Sequence, residues 1–387
     1  MVLGNKKKVN MMARRKKSNN DVIRILHIVP NMDAGGLETF IMNLYRNIDR
    51  SKVQFDFLVH YKRKCHYDDE IIDLGGKIYR MTLRDNNNIF KYIRELNKFY
   101  KEHPEYKIIH CHMASIGFIN FLVARHNGIK VRIAHSHSIS CENSLKGFAK
   151  RMLIKPCKYL STINFACSKE AGEHLFGNRK FEIISNGIDL DKFKFSKPKR
   201  VKIRKELNVG EDTVVIGHIG RFNLSKNHPK VIEIFKEYHK KNTNSILILV
   251  GIGSEQEKIR KLVNANNLED SVKFLGVRKD TDYLYSGFDI FLFPSLYEGL
   301  GIVLIEAQTS GLYCYTTLDK VPSGASISNR LEYIDLVSSS KIWAAKLNDK
   351  DCFDRKGIVF NANKDNYDIK VVADKMMMFY LKHYNCK

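Results

Sequence analysis

Short apolar runs alternate along the chain with longer stretches in which apolar residues recur every three or four positions. The first run, "VIRILHIVP" (22–30), is nearly continuous in its apolarity and rich in β-branched residues, as a parallel strand buried on both faces requires. The loop "NMDAGGLE" leads from it into "LETFIMNLYRNI", where Phe40, Leu44 and Ile48 fall on one helical face. The alternation continues through "VQFDFLVH", the helix "DDEIIDLG", "KIYRM", a helix near 89–101, "YKIIHCH", a helix near 115–127 and "VRIAHSHS". After "NFACSKEAGEHLFG" and "FEIISNGIDLDKF" the pattern breaks at 194–208, which is rich in Lys and Arg and reads as an interdomain linker with an entry helix. A second series opens at "TVVIGHIGRF" (213–222) and runs through "SILILVGIGSEQEKIRKLV", "VKFLGV", "DIFLFPSLYEGLGIVLIEAQTSG" and "LYCYTT". The chain ends in a predicted helix with Val372, Met376 and Tyr380 four apart.

Strands alternating with helices predict parallel sheets covered on both faces, so the fold class is α/β, two Rossmann-like, doubly wound domains in tandem. Open sheets of this kind bind ligands beyond the carboxyl ends of their strands. Two of them facing a central cleft would hold one ligand on each lip, a geometry suited to transfer between two bound substrates.

Composition narrows the picture. At 387 residues the chain exceeds what one core usually supports, and 44% hydrophobic with 28% charged residues excludes a disordered polymer. A formal net charge of +23 points toward phosphate-bearing or anionic-surface partners. Part of it sits at Lys6, Lys7, Lys8, Arg14, Arg15, Lys16 and Lys17, with no apolar run behind them, so residues 1–20 form a basic tail and not a signal peptide. No stretch approaches the roughly 20 apolar residues of a spanning helix, which predicts a soluble or peripheral protein. The 8 cysteines are scattered without a Cys-x-x-Cys pair, as reduced thiols of a cytoplasmic protein would be.

Candidate chemistry concentrates in "PSLYEGLGIVLIEAQ" (294–308), where a buried strand ends at Pro294 and a helix begins beyond Gly299 and Gly301. A helix start presents unpaired N–H groups, and glycine lets a phosphate approach them, so the junction is a candidate diphosphate seat. Glu298 and Glu306 lie eight positions apart, about 80° out of register on one continuous helix, so Glu298 belongs to the loop and Glu306 to the helix. As acceptors they suit hydroxyls on either side of a diphosphate, which describes a nucleotide sugar. "GRFNLSKN" (220–227) adds Arg221 and Lys226 on a cleft-facing loop, where they would neutralise a leaving diphosphate.

Taken together, "GRF…KNH", "LVGIGSEQEKI", "VKFLGV", "DIFLFPSLYEGLGIVLIEAQTSGL" and "ISNGIDLDKF" resemble the retaining GT-B glycosyltransferases whose hallmark is Glu-x7-Glu, most of all those that build bacterial capsular and exopolysaccharides. The likeness runs from about residue 22 to 350. It implies an N-terminal acceptor-binding domain over 21–195, a C-terminal nucleotide-sugar-binding domain over 196–367, and a helix over 368–387 crossing back to the first domain. It assigns Arg221 and Lys226, assisted by the amides around Leu300 and Gly301, to the donor diphosphate, Glu298 to the donor sugar and Glu306 to the ribose. The backbone at Val277 resembles the family's base-binding turn, and Gly35 and Gly36 its glycine loop at the cleft. The family's histidine near the reacting sugar has two counterparts, His135 and His137, of which His137 lies further toward the carboxyl end of its strand. The acidic residue that capsule-type members carry near Ser323 or Gly324 is missing, a departure confined to that loop.

The implied reaction moves a sugar from a nucleotide-diphosphate donor, with uridine favoured as the base, to a saccharide hydroxyl, with no cofactor required. A lipid-diphosphate-linked acceptor at the inner face of the cell membrane would suit the basic charge, as would a merely solvated tail. A GT-B-like epimerase or phosphorylase is the alternative. A nucleic-acid binder has only the charge in its favour, since basic and aromatic residues do not interleave. The pairs His110/His112 and His135/His137 each place two rings on one strand face. With no third ligand marked by spacing, no metal is expected.

Overall fold

A computed structural model of the protein describes residues 22–81, 88–137, 156–347, 355, 357–362 and 364–384. The basic tail lies outside them. Seven parallel strands form the first sheet: β1 (Ile23–Val29), β2 (Val53–Val59), β3 (Ile78–Arg80), β4 (Ile108–Cys111), β5 (Val131–Ser136), β6 (Ile163–Ala166) and β7 (Glu182–Ile183), in the order β3-β2-β1-β4-β5-β6-β7. Six parallel strands form the second: β8 (Val214–Ile219), β9 (Ser245–Val250), β10 (Val272–Phe274), β11 (Ile290–Phe293), β12 (Tyr313–Thr317) and β13 (Leu331–Ile334), in the order β10-β9-β8-β11-β12-β13. Strand order reverses between β1 and β4 in one sheet and between β8 and β11 in the other, and a crevice opens at such a switch point.

Each sheet separates two apolar layers, which is why its strands lack polar alternation. In β1, Ile25 and Val29 face one layer with Phe55 and Phe57, while Leu26 and Ile28 face the other with Ile109 and Phe121. The first of these layers also contains Val372, Met376 and Tyr380 from the last helix, Ile369–Tyr384. The chain leaves the N-terminal unit near Ile188 and returns at Asp368, and there the two passes pair in parallel: Ile188 N–H donates to Tyr367 O at 2.8 Å, and Ile369 N–H to Ile188 O at 2.9 Å. Gly187 makes this crossing possible, since a Cβ there would stand 2.9 Å from Ile369 Cα.

The basic stretch read as a linker holds a helix, Lys197–Glu206, capped by the Ser196 side chain. Two of its cations are buried. Arg200 Nη2 lies 2.8 Å from Asp289 Oδ1 and Arg204 Nη1 3.0 Å from Oδ2, which anchors the helix to the start of β11. Among the described residues no helix is long and apolar enough to cross a membrane.

Candidate active site between the two domains

On the C-terminal lip, β11 ends at Phe293 and the helix Ile302–Thr309 begins beyond Gly301, whose φ of 84° is the left-handed conformation that favours glycine. Leu300 is buried in the apolar layer, so it offers the cleft its backbone alone. Glu298 sits in the loop and Glu306 inside the helix. Glu298 Oε1 accepts from Lys226 Nζ at 2.5 Å, an ion pair that is mostly buried, and Glu298 N–H donates to Lys320 O at 3.0 Å. Glu306 is buried and accepts from the Tyr285 hydroxyl at 2.8 Å. Burial pushes its carboxyl up to about 7, with the Tyr285 hydrogen bond pulling the other way.

Arg221 follows β8 and is exposed. Its loop is backed by "VGIGS": a Cβ on Gly251 would collide with the Gly220 carbonyl, and one on Gly253 with that of Phe222. Those glycines therefore serve close packing of two loops. Gly251 N–H donates to Gly276 O at 2.8 Å, which sets the turn at Val277, half exposed, beside the end of β9.

The N-terminal lip meets this one closely. A Cβ on Gly35 would stand 3.7 Å from Arg221 Nη2, and one on Gly36 4.0 Å from Ile302 Cδ1. The starts of the helices Gly36–Asn47 and Ile302–Thr309 thus approach each other, with Arg221 beside Gly35. Cys167 Sγ donates to Gly299 O at 3.6 Å, a further contact across the cleft. Glu38, in the first turn beyond Gly36, joins the site without having been singled out from sequence. Burial pushes its carboxyl up to about 7, opposed by its own backbone N–H and by the Arg221 charge. The acidic residue just after the double glycine was its only signal.

The two histidine candidates separate by exposure. His135, on β5, is buried with Nδ1 3.1 Å from His110 Nε2, whereas His137 stands just past the strand and is partly exposed. Their rings lie 4.0 Å apart on one face. Register brings three more imidazoles to the same switch point: His27 pairs with His110 across β1 and β4, and His112 follows β4. His27 Nδ1 is 3.0 Å from His112 Nε2, His112 Nδ1 is 2.9 Å from His137 Nε2, and His110 Nδ1 is 2.7 Å from the Tyr380 hydroxyl. Desolvation pushes His27 and His137 down to about 3 and holds the others well below the ordinary imidazole range, so the rings are neutral near pH 7. A third imidazole thus stands beside the His135/His137 pair, which spacing alone could not mark.

Comparison with known proteins agrees with this architecture. Residues 34–192 match the model of Glycosyltransferase Family 4, and residues 199–325 that of Glycosyl transferases group 1. The "Putative glycosyltransferase EpsF" of Bacillus subtilis (strain 168) is 34% identical over 338 residues, covering 84% of this chain and 87% of that protein. The UDP-Gal:alpha-D-GlcNAc-diphosphoundecaprenol alpha-1,3-galactosyltransferase of Escherichia coli is 25% identical over 315 residues, 77% of this chain and 80% of that one. The crystal structure of Anabaena Alr3699/HepE in complex with UDP and glucose superposes with a TM-score of 0.75 at 17% identity, over 93% of this chain and 100% of that one, which gives the GT-B fold. With consecutive family matches across both domains and a relative one-third identical along most of its length, the chain belongs to the group 1 glycosyltransferases.

Proposed function

We propose that the protein transfers a sugar from a UDP-sugar, with retention at the anomeric carbon, to a hydroxyl of a lipid-diphosphate-linked saccharide during assembly of a capsular or extracellular polysaccharide. One observation carries the reading: Arg221, just past β8, reaches Gly35 at one helix start, and that start lies against Ile302 at the other, at the switch points of both sheets. Three sources of positive potential converging on one spot suit a diphosphate whose charge grows as it leaves. Uridine is supported by the UDP held in the Anabaena structure and by the donor named for the Escherichia coli relative, whose name also supplies the lipid-linked acceptor. The net charge of +23 favours an anionic membrane surface, worth about 1 kcal/mol per basic residue close to it.

In this mechanism the diphosphate rests against Gly301 and Arg221, with Lys226 completing the cationic seat. Glu298 receives hydroxyls of the donor sugar and Glu306 those of the ribose, while the turn at Val277 lies against the base. Gly35 and Gly36 keep the opposite lip free of side chains, and His137 faces the reacting sugar. Glu298 is held by Lys226, so it is no free nucleophile of the kind a double-displacement glycosidase uses. Same-face departure and attack follows: the bond from anomeric carbon to phosphate oxygen breaks, the bond to the acceptor oxygen forms, and the acceptor proton passes to the leaving phosphate. The developing charge meets side chains and amides already in place, so the step calls for no cofactor.

Calorimetric titration with UDP and GDP tests the donor site. UDP should bind the wild type, and Arg221→Ala and Glu306→Ala should each weaken it by about 1.5–3 kcal/mol, the scale of a charged hydrogen bond. Failure of both nucleotides to bind would remove the proposal. Retention is checked by the anomeric configuration of the product formed on a lipid-diphosphate-linked acceptor.

A further inference from the structure

We propose that His112, His135 and His137 form a binding site for a borderline divalent cation, Zn2+ foremost, at the carboxyl ends of β4 and β5. One nitrogen from each ring lies within 4.8 Å of the others. His112 Nδ1 and His137 Nε2 already face each other at 2.9 Å. His135 Nε2 is buried with no hydrogen-bond partner, and an unpaired buried ring nitrogen is a cost that an ion would remove.

Proton bookkeeping decides whether three lone pairs can point at one ion simultaneously. If His112 Nδ1 is bare, its proton sits on Nε2 and is donated to His27 Nδ1, 3.0 Å away. If His135 Nε2 is bare, its proton sits on Nδ1 and is donated to His110 Nε2 at 3.1 Å, and His110 in turn donates from Nδ1 to the Tyr380 oxygen at 2.7 Å. His137 then carries its proton on Nδ1. Every ring takes one tautomer without conflict, and two of the three ligands are oriented through their far nitrogen, the usual support of a metal-bound imidazole. His27, His110 and Tyr380 act as positioning residues in this arrangement.

Chemistry selects the ion. Three neutral nitrogens without a carboxylate suit Zn2+, Ni2+ or Cu2+ and disfavour Mg2+ and Ca2+, which require oxygen. Zinc bonds to imidazole of about 2.0–2.1 Å set nitrogens roughly 3.3 Å apart in a tetrahedron, so the facing pair needs to open by only a few tenths of an ångström. Three protein ligands leave a fourth position for water or substrate oxygen, and partly exposed His137 gives the ion a path from the cleft. The inner set of His27, His110 and His112 also comes together but is sealed on all sides, which fits support better than uptake. None of this rests on the transferase reading.

The test uses the full-length chain, stripped with chelator and titrated with Co2+. One equivalent should be taken up with the intense visible d–d bands of a four-coordinate site, and Zn2+ should displace it. His112→Gln and His135→Gln should each weaken Zn2+ binding by at least about 10- to 100-fold, the range seen when metal-site partners are lost. His126→Gln, at an exposed position, should leave binding unchanged. No uptake, or uptake indifferent to both buried substitutions, overturns the site. Should those variants fail to fold by circular dichroism, X-ray absorption of the Zn2+-loaded wild type decides: scattering from three imidazoles upholds the site, and from fewer refutes it.

Discussion

Glu306 carries the clearest pH signature in the cleft. Burial raises its carboxyl from 4.5 to about 7, so the fold prefers the protonated acid. That contribution to stability is fully present below the unfolded value and is lost as pH rises through 7. Glu306→Gln keeps an oxygen for the Tyr285 hydroxyl but cannot ionise. It should therefore be more stable than wild type at pH 8 by on the order of 3 kcal/mol, a difference that vanishes toward pH 4.5. Urea unfolding at several pH values reads this, and a pH-independent difference would show that the charge is not responsible. Ribose hydroxyls donating to Glu306 would favour its ionised form, so UDP binding near pH 7 should release protons, visible as a dependence of binding heat on buffer. At this scale the sequence was legible wherever chemistry is local: a loop glutamate and a helical glutamate follow from spacing around the glycines. Glu38 was not, because Arg221, which faces it, comes from the other domain. The grouping of His112 with His135 and His137 likewise depends on how β4 registers against β5.

Among elements, strands were easiest to read, since a run buried on both faces leaves an apolar trace that helices do not share. Helix starts at the cleft were readable from their glycines. At 194–208 the entry helix was legible but the partners of its cations were not: Arg200 and Arg204 point inward to Asp289, an acid whose role becomes visible only when β11 lies beside the helix. Arg204→Ala should destabilise the protein by about 3–5 kcal/mol, because half of a buried charge cluster would be left facing an under-compensated carboxylate. Equilibrium denaturation measures it, and a loss under 1 kcal/mol would mean that water or Arg200 compensates. Gly251→Ala makes a second prediction. Its Cβ meets the Gly220 carbonyl and its φ is +134°, so the Arg221 loop must shift. Weaker UDP binding with the fold retained is the expected result.

Over the whole molecule, two sheets with opposed switch points were foreseeable from the count and order of βα units. The intimacy of their connection was not, because four-residue spacing in the last helix specifies an apolar stripe without naming its partner. That stripe completes the core beneath β1, β2 and β4, and Tyr380 touches His110 across 270 positions. A chain ending at residue 367 should keep a native environment for Trp343, the sole tryptophan and a buried residue of the C-terminal unit, while its N-terminal unit loses cooperative unfolding. Tryptophan emission set against circular dichroism separates the two, and a cooperative N-terminal transition in the shortened chain would count against this view. The same helix bears on biogenesis. Synthesis delivers the first domain early but the helix that completes its core only after the second domain, so both sheets must emerge before the first can close. A ribosome that stalls or a message that is cut short would then yield no half-working transferase, only a first domain with an open seam for chaperones and proteases to find.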